Sequence, residues 1–249
     1  MTERRVVPLD LPLVTPHECS LQVRREAIAS VEMFRELSPE QVADVESRCG
    51  ARAISEGEAV YLRGEPADRV YFVAHGIVKT TRDAPDGRET MLGVRTKGDF
   101  LGAIPELGYD RHVESAWAMT GGCLLSLGSD DYARVMRDHP AVALGTVRVL
   151  ADRLAQSQTS VHMLSGAALQ QRLAAILLSL GAKVGRKWEG GVLLQIPIGR
   201  EDLAAMAGAA TESVSRQLSA WKKAGIIDSG RRWVAIMNLP ELRRLRAGS

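Results

Sequence analysis

Glycines recur through the stretch from residue 51 to residue 127, and their spacing limits the fold more than any other feature of the sequence. Short apolar or β-prone runs lie between them, at residues 59–62, 70–73 and 90–94. The glycines that separate these runs include Gly57, Gly64, Gly76, Gly87, Gly98 and Gly102. This alternation predicts short antiparallel strands joined by tight turns, which form a small β-barrel or roll.

The segment before the roll has a different character. Residues 1–30 contain three prolines and little periodicity, which predicts an extended arm leading into a helix near residues 21–29. A second short helix is predicted at residues 39–49, because Ser38 is a suitable N-cap and Pro39 suits the first helical position. With 249 residues, of which 45% are hydrophobic and 25% charged, the chain is expected to fold into two modest domains.

A long helical region follows the roll, from about residue 129 to residue 164, with Pro140 as the point at which it could break. A row of residues in this region is spaced alternately by three and four positions. Its members are Val147, Leu150, Leu154, Ser157, Val161, Leu164 and Ala168. Such a narrow seam is best buried against a copy of itself, which predicts a parallel homodimer. Packing of this helix on its own β-domain stays open as the alternative, because only about three heptads are present.

The C-terminal third shows a pattern of helix, glycine turn and helix between residues 199 and 218. We expect a small core between the two helices, formed by Leu203, Ala204, Ala207, Val214 and Leu218. The outward side chains near the start of the second helix are then Thr211, Glu212, Ser213, Ser215 and Arg216. An arginine matches the O6 and N7 acceptors of guanine, and a glutamate can accept from cytosine N4. These residues are therefore predicted to read DNA bases in the major groove, although Glu212 could instead be a plain capping carboxylate.

Charge is divided unevenly along the chain. Residues 169–249 contain 13 lysines and arginines against 6 acidic residues, a net +7, whereas residues 1–168 contain 19 against 24, a net −5. A basic C-terminal third suggests a polyanionic partner, with an ordinary solvated charged face as the alternative. Phosphate contacts are expected from a wing with strands at residues 225–227 and 233–236. The residues assigned to this part of the interface are Arg200, Lys222, Lys223, Arg231 and Arg232.

Taken together, these features resemble the superfamily of the cyclic-AMP receptor protein and the fumarate-nitrate regulator (CRP/FNR), which are bacterial transcription factors. The resemblance covers nearly the whole chain and rests on residues 98–102 (Gly-Asp-Phe-Leu-Gly), Ser115-Ala116, the long helix and residues 212–218. It implies an α+β fold with an N-terminal cyclic-nucleotide-binding-like β-roll (a double-stranded β-helix or jelly roll), a dimerisation helix and a C-terminal winged helix-turn-helix.

The same resemblance implies the domain bounds and the partners. We expect an arm at residues 1–30, a sensor domain at 31–135, the dimerisation helix at 136–168 and the DNA-binding domain at 169–249. Family members are homodimers that read palindromic sites and recruit or block RNA polymerase. Glu212, Ser215 and Arg216 are similar to the fumarate-nitrate type of reader, which implies a half-site related to TTGA, while the cyclic-AMP branch has an arginine at the position of Thr211.

The signal that this chain senses is less clearly marked. Cyclic-AMP binders of the family have Gly-Glu and Arg-Ser where this chain has Gly102-Ala103 and Glu114-Ser115. A carboxylate at Glu114 would repel the cyclic phosphate, so the usual mode of cyclic-AMP binding is disfavoured. Ser157 and Gln158 fall where family members contact a ligand from the dimer helix, so a different effector between the β-roll and the seam stays open as an alternative.

An iron–sulfur cluster of the oxygen-sensing type is also disfavoured. Residues 17–24 resemble the cluster-binding region and Cys123 resembles the distant fourth ligand, but two thiolates cannot complete a four-thiolate site within one subunit. Cys19 and Cys123 are then remnants, a redox-sensing thiol pair, or part of a haem site that uses Cys19, His17 or another histidine. With Cys49 they make three distant cysteines, which do not suggest a disulfide framework and suit a reducing compartment.

Other classes of protein fit less well. A cupin-like metalloenzyme would need clustered ligands, whereas the roll offers only His75 and His112; these two and His162 are predicted to be ordinary surface residues. We therefore expect no enzyme activity. No apolar stretch reaches the roughly 18 residues that span a bilayer, and the chain starts without an apolar signal core, so a cytoplasmic protein is expected. A constitutive DNA binder with a vestigial sensor stays open as a further alternative.

Overall fold

The structure, a computed structural model, describes residues 19–83 and 89–248. His17 and the rest of the predicted arm before Cys19 lie outside these residues. The described chain divides into two compact units. One contains residues 19–83 and 92–156, and the other contains residues 89–91 and 157–248.

Two helices precede the roll, as the sequence predicts. Helix α1 spans Leu21–Ser30, and the side chain of its N-cap Ser20 accepts a hydrogen bond from the Val23 amide. A 3₁₀ turn follows at Glu32–Phe34. Helix α2 spans Pro39–Arg48 and begins with a capping box between Ser38 and Gln41.

Eight short strands form the predicted β-roll, and every described pairing among them is antiparallel. The strands are β1 (Gly50–Ile54), β2 (Ala59–Tyr61), β3 (Arg69–His75), β4 (Val78–Asp83), β5 (Glu89–Arg95), β6 (Phe100–Leu101), β7 (Ser115–Ala118) and β8 (Gly122–Gly128). They make two four-stranded sheets, with orders β1-β8-β3-β6 and β2-β7-β4-β5. A 3₁₀ turn at Pro105–Leu107 lies between β6 and β7. The fold class inferred from the glycine spacing is confirmed.

Tight packing explains one of the glycines that punctuate the roll. Gly76, between β3 and β4, has a φ of +89°, and a Cβ there would lie 2.8 Å from the carbonyl oxygen of Gly121. A larger residue would be both strained and too close to the neighbouring turn.

Two helices follow the roll, and the second of them passes out of the first unit after residue 156. Helix α3 spans Ser129–Asp138 and helix α4 spans Pro140–Gly166, so the helical region breaks at Pro140 as anticipated. With 27 residues, α4 is about 40 Å long. Its beginning is packed closely on the 3₁₀ turn at Glu32–Phe34, because a Cβ on Gly145 would lie 2.7 Å from the carbonyl oxygen of Met33.

The second unit contains the predicted winged helix-turn-helix. Its elements are α5 (Leu169–Val184), β9 (Gly185–Trp188), β10 (Gly191–Leu194), α6 (Arg200–Ala207), α7 (Thr211–Lys223), β11 (Ile227–Gly230), β12 (Trp233–Ile236) and α8 (Leu239–Ala247). The four strands form one sheet of order β11-β12-β10-β9. The first wing strand begins at Ile227, two residues later than predicted, because Gly225 has a φ of +70° and lies in the turn after α7.

Candidate nucleic-acid interface and sensor site

The α6–α7 pair is held by the small core that the sequence predicts. All five of its members are buried: Leu203, Ala204, Ala207, Val214 and Leu218. Gly208 ends α6 in the left-handed conformation, with a φ of 57°. This residue allows the chain to turn sharply into α7, whose orientation is then fixed by the buried side chains.

The opposite side of α7 presents the predicted base readers. Glu212 and Arg216 are exposed, while Thr211, Ser213 and Ser215 are partly exposed. The Arg216 guanidinium donates to the Ser213 hydroxyl over 3.4 Å, which places both side chains on the same side of the helix. This group of hydrogen-bonding side chains near a helix N-terminus has the chemistry needed to read base edges.

The basic residues expected around α7 differ in their surroundings. Arg200, Lys223 and Arg231 are exposed. Lys222, by contrast, places its Nζ 2.7 Å from Asp228 Oδ1 and donates to the Ser229 carbonyl over 2.6 Å. This half-exposed ion pair joins α7 to β11, and the contact of Lys222 with phosphate stays a prediction.

Four of the predicted effector residues lie together in the roll, connected by two residues, Tyr61 and His112, that were not predicted as effector residues. The Ala103 amide lies 3.3 Å from His112 Nδ1, next to Gly102. The His112 ring stacks on Tyr61 with 3.8 Å between ring centroids. The Tyr61 hydroxyl then donates to Glu114 Oε1 over 3.5 Å, and Ser115 Oγ accepts from the Arg63 amide over 3.0 Å.

His112 is therefore not the surface residue predicted. It is 3% exposed, and its stacking on Tyr61 explains why an imidazole lies inside the roll. Burial lowers its pKa below the usual value, against the opposing effect of Glu65 and Asp68. Burial also raises the pKa of Tyr61, and the nearby Glu114 carboxylate raises it further. His75 is half-buried at the end of β3, so it too differs from the expected surface turn residue.

A further cation lies close to this group and was missed. Arg153 of α4 places its guanidinium carbon 3.7 Å from the centroid of the Phe100 ring and donates to the Phe100 carbonyl. Its pKa falls to about 10, because of burial first and the neighbouring Arg95 second. The sequence signal for this residue is a single arginine directly before the seam residue Leu154. Ser157 and Gln158, the remaining effector candidates, are exposed on α4 and belong to the second unit.

The cysteines differ from the expectation that they form no disulfide. Cys19 and Cys123 form a disulfide, with 6.8 Å between their Cα atoms and 104 residues between them in sequence. Cys49 is a buried thiol, and burial raises its pKa to about 12. Within residues 19–83 and 89–248, histidines, cysteines and carboxylates form no group of three or more that could hold a metal ion.

The predicted dimer seam is largely uncovered. Val147, Leu154, Val161 and Leu164 are exposed, and Leu144 extends this row toward the start of α4. Leu150 differs, because it is partly buried against the core of the roll. We refer below to Leu144, Val147, Leu154, Val161 and Leu164 as the apolar row of α4. None of the described helices is long and apolar enough to cross a membrane.

A β-roll followed by a long helix and a winged helix-turn-helix is the architecture of a class of DNA-binding transcription regulators. Comparison with known families agrees with this architecture. The cyclic nucleotide-binding domain model matches residues 51–139, and the Crp-like helix-turn-helix domain model matches residues 171–245.

Whole-chain relatives share the same arrangement. The cyclic AMP receptor protein of Thermus thermophilus is 30% identical over 216 residues, which cover 87% of this chain and 97% of that protein. The CRP-like cAMP-activated global transcriptional regulator of Mycobacterium tuberculosis is 27% identical over 219 residues, covering 88% and 98%. The chain belongs to the CRP/FNR family of transcription regulators.

Solved structures agree on the fold. FixK2 from Bradyrhizobium japonicum superposes with a TM-score of 0.72 at 24% identity, covering 81% of this chain and 98% of that one. A CRP-family transcriptional regulator from Thermus thermophilus superposes with a TM-score of 0.68 at 29% identity, covering 80% and 97%.

Proposed function

We propose that this regulator acts in the cytoplasm as a homodimer that reads a palindromic DNA site with TTGA-type half-sites. The observation that carries the proposal is the outward face of α7, where Glu212 and Arg216 are exposed beside Ser213 and Ser215 on a helix fixed by a buried core. In this arrangement Arg216 donates to guanine and Glu212 accepts from cytosine in the major groove. Thr211 begins the helix at the end that enters the groove.

Phosphate contacts position the helix without reading sequence. We assign them to Arg200 at the start of α6, Lys223 at the end of α7 and Arg231 in the wing turn, all of which are exposed. Lys222, which also pairs with Asp228, stays a further predicted contact. The bound dimer would recruit or block RNA polymerase.

The second copy of the chain is proposed to cover the apolar row of α4. Val147, Leu154 and Val161 are each more than 60% exposed, which is unusual for large apolar side chains that lie seven residues apart on one helix face. The heptad spacing suits a parallel pair of identical helices, because each residue then meets its own copy. Leu150 contributes to packing on the roll instead.

The β-roll is proposed to carry the regulatory signal. Glu114 accepts a hydrogen bond from Tyr61 at the position where cyclic-AMP binders have an arginine, so the carboxylate stays disfavoured as a neighbour of a cyclic phosphate. A four-cysteine cluster does not fit either, since the chain has three cysteines. While the bond between Cys19 and Cys123 is intact, neither sulfur is a thiolate that could bind a haem iron. A vestigial sensor remains the alternative, and it predicts DNA affinity that no signal changes.

Fluorescence anisotropy tests the DNA-reading proposal. The probe is a duplex with TTGA and its inverted repeat, centred about 10 base pairs apart, or one helical turn. A scrambled duplex of the same composition is the comparison. Arg216→Ala is expected to weaken binding to the palindrome by roughly 1–3 kcal/mol, about 5-fold to 150-fold, and to leave the weak binding to the scrambled duplex unchanged.

Arg243→Ala is the matched control, because it removes an exposed arginine from α8 in the same domain. It is expected to keep the preference for the palindrome. Equal affinity of the unaltered protein for the two duplexes would reject the assigned half-site, and an unchanged preference in Arg216→Ala would reject the assigned reader.

A further inference from the structure

We infer that Cys19 and Cys123 are a reversible oxidation site, at which a hydroperoxide converts two thiols into the disulfide and so changes the DNA affinity of the regulator. This inference rests on the proposed function for its effect on DNA. The formation of the disulfide itself is independent of that function and is tested separately.

The fold brings the two cysteines together from distant parts of the chain. Cys19 lies directly before Ser20, the N-cap of α1, and Cys123 lies in β8, where it is paired with Ala53 of β1 and His75 of β3. Their Cα atoms are 6.8 Å apart although 104 residues separate them in sequence. The spacing falls within the range that a disulfide can bridge.

The two sulfurs differ in accessibility, which gives each a role. Cys19 is partly exposed at the edge of the core, whereas Cys123 is 2% exposed within it. An oxidant therefore reaches Cys19 first, and Cys123 is the resolving thiol. Cys49 is buried elsewhere in the same core and donates to the Val45 carbonyl, so it is expected to stay reduced.

The chemistry balances with a hydroperoxide as the oxidant. The Cys19 thiolate attacks the peroxide, the O–O bond breaks, and Cys19 becomes a sulfenic acid as the first water or alcohol leaves. The Cys123 sulfur then displaces the sulfenic hydroxyl, which leaves as water with the Cys123 proton, and the S–S bond forms. Two electrons from two thiols have reduced one peroxide, and a small dithiol reverses the change by exchange.

The disulfide is connected to α4 through a series of closely packed backbone segments. It fixes the start of α1, which runs directly into the 3₁₀ turn at Glu32–Phe34. Met33 in that turn is so close to α4 that a Cβ on Gly145 would lie 2.7 Å from its carbonyl oxygen. The end of α1 also touches the β5–β6 turn, since a Cβ on Gly98 would lie 2.8 Å from the Ser30 carbonyl oxygen. The guanidinium group of Arg153 in α4 lies over the ring of Phe100, which is two residues after Gly98.

The experiment has two readouts on the full-length protein. Samples are treated with dithiothreitol or hydrogen peroxide, alkylated, and digested without reduction for peptide mass mapping. The same samples are titrated with the palindromic duplex. We expect a Cys19–Cys123 linked peptide in the peroxide sample, its loss in dithiothreitol, alkylation of Cys49 only after unfolding, and a DNA affinity that differs at least fivefold between the two samples.

Two variants separate the causes. Cys19→Ser removes the partly exposed thiol and is expected to show no linked peptide and less than twofold change in DNA affinity between the treatments. Cys49→Ser keeps a donor toward the Val45 carbonyl and is expected to respond as the unaltered protein does. Circular dichroism checks that each variant folds before it is used.

The outcomes are distinguishable. If peroxide produces no linked peptide, the oxidation site is rejected and the DNA-reading proposal stands. If the peptide forms but the affinity changes less than twofold, or changes equally in Cys19→Ser, the regulatory part of the inference is rejected. If neither sample prefers the palindrome to the scrambled duplex, the proposed function fails, while the mass map still decides whether the disulfide exists.

Discussion

The hydroxyl oxygen of Tyr132 lies 2.5 Å from Oγ1 of Thr146, and this hydrogen bond joins α3 to α4 in the interior of the first unit. Both side chains are almost completely buried. The Thr146 hydroxyl also donates to the Val142 carbonyl over 2.8 Å, and Met33 Sδ lies 3.0 Å from the Tyr132 hydroxyl. The 3₁₀ turn at Glu32–Phe34, α3 and the start of α4 therefore share one polar cluster.

Removal of the Tyr132 hydroxyl should loosen this cluster. Tyr132→Phe keeps the ring but takes away the hydrogen bond to Thr146, so the free energy of unfolding is expected to fall by about 1–2 kcal/mol. Urea unfolding followed by circular dichroism measures the change. Tyr109→Phe is the control, because Tyr109 is 57% exposed and should tolerate the same alteration. Equal effects of the two substitutions would show that the buried hydroxyl contributes nothing.

The contact between Gly145 and Met33 predicts a strong effect of a single methyl group. Gly145→Ala would force α4 away from the Met33 backbone, with a cost of about 1–3 kcal/mol. Gly166→Ala adds the same methyl group to the same helix where no other atom lies within 4 Å. The control is therefore expected to be neutral or stabilising, because alanine favours helix over glycine. A Gly145→Ala protein as stable as the control would contradict the close contact.

Buried His112 predicts an acid-sensitive β-roll. Its folded-state pKa lies below the ordinary value of 6.5, so the unfolded chain takes up a proton first as the pH falls. Stability associated with neutral His112 is therefore present above pH 6.5 and is lost as the pH falls toward the folded-state pKa. The loss approaches about 1.4 kcal/mol per pH unit at most for one proton.

Urea unfolding at pH 7.5 and pH 5.5 tests this dependence. His112→Phe keeps a ring against Tyr61 but cannot bind the proton, so the decrease in stability between the two pH values should become smaller. His162→Gln, which removes an exposed histidine from α4, should leave the decrease unchanged. The same decrease in all three proteins would mean that other groups cause it.

The apolar row of α4 predicts that one charge can prevent dimer formation. Leu154→Glu places a carboxylate in the middle of the row and is expected to shift the protein toward the 27.0 kDa monomer. Thr159→Glu adds the same charge on the opposite face of the helix and should have no such effect. Sedimentation velocity at several protein concentrations measures whether each variant is a monomer or a dimer. A Leu154→Glu protein that dimerises like the control would place the interface elsewhere.

Local patterns in the sequence predicted most of the helices and strands, because hydrophobic periodicity and helix capping depend only on residues that are close in sequence. Ser38 and Pro39 marked the start of α2, and the buried positions of α7 followed from the helical spacing of Val214 and Leu218. The same spacing did not indicate that Leu150 packs against the core of the roll, since a helical period identifies a face of the helix without saying which neighbour covers it.

Contacts between distant segments were less accessible. The stacking of His112 on Tyr61 joins residues 51 positions apart, and the Cys19–Cys123 pairing depends on how α1 crosses the roll. Neither the ring stacking nor the disulfide pairing produces a periodic pattern in the sequence. Arg153 shows the same limitation, because its contact with the Phe100 ring requires both the strand and the helix to be placed first.

The composition of the apolar row has a consequence for the choice of partner. Leucine and valine attract any similar helix, since apolar contact has no direction and carries no information about identity. Discrimination between this chain and a related regulator in the same cell must then come from the polar residues that flank the row, such as Gln158 and Ser160. Wherever those flanking polar residues are compatible, mixed dimers would form, and each would read an operator with two unlike half-sites.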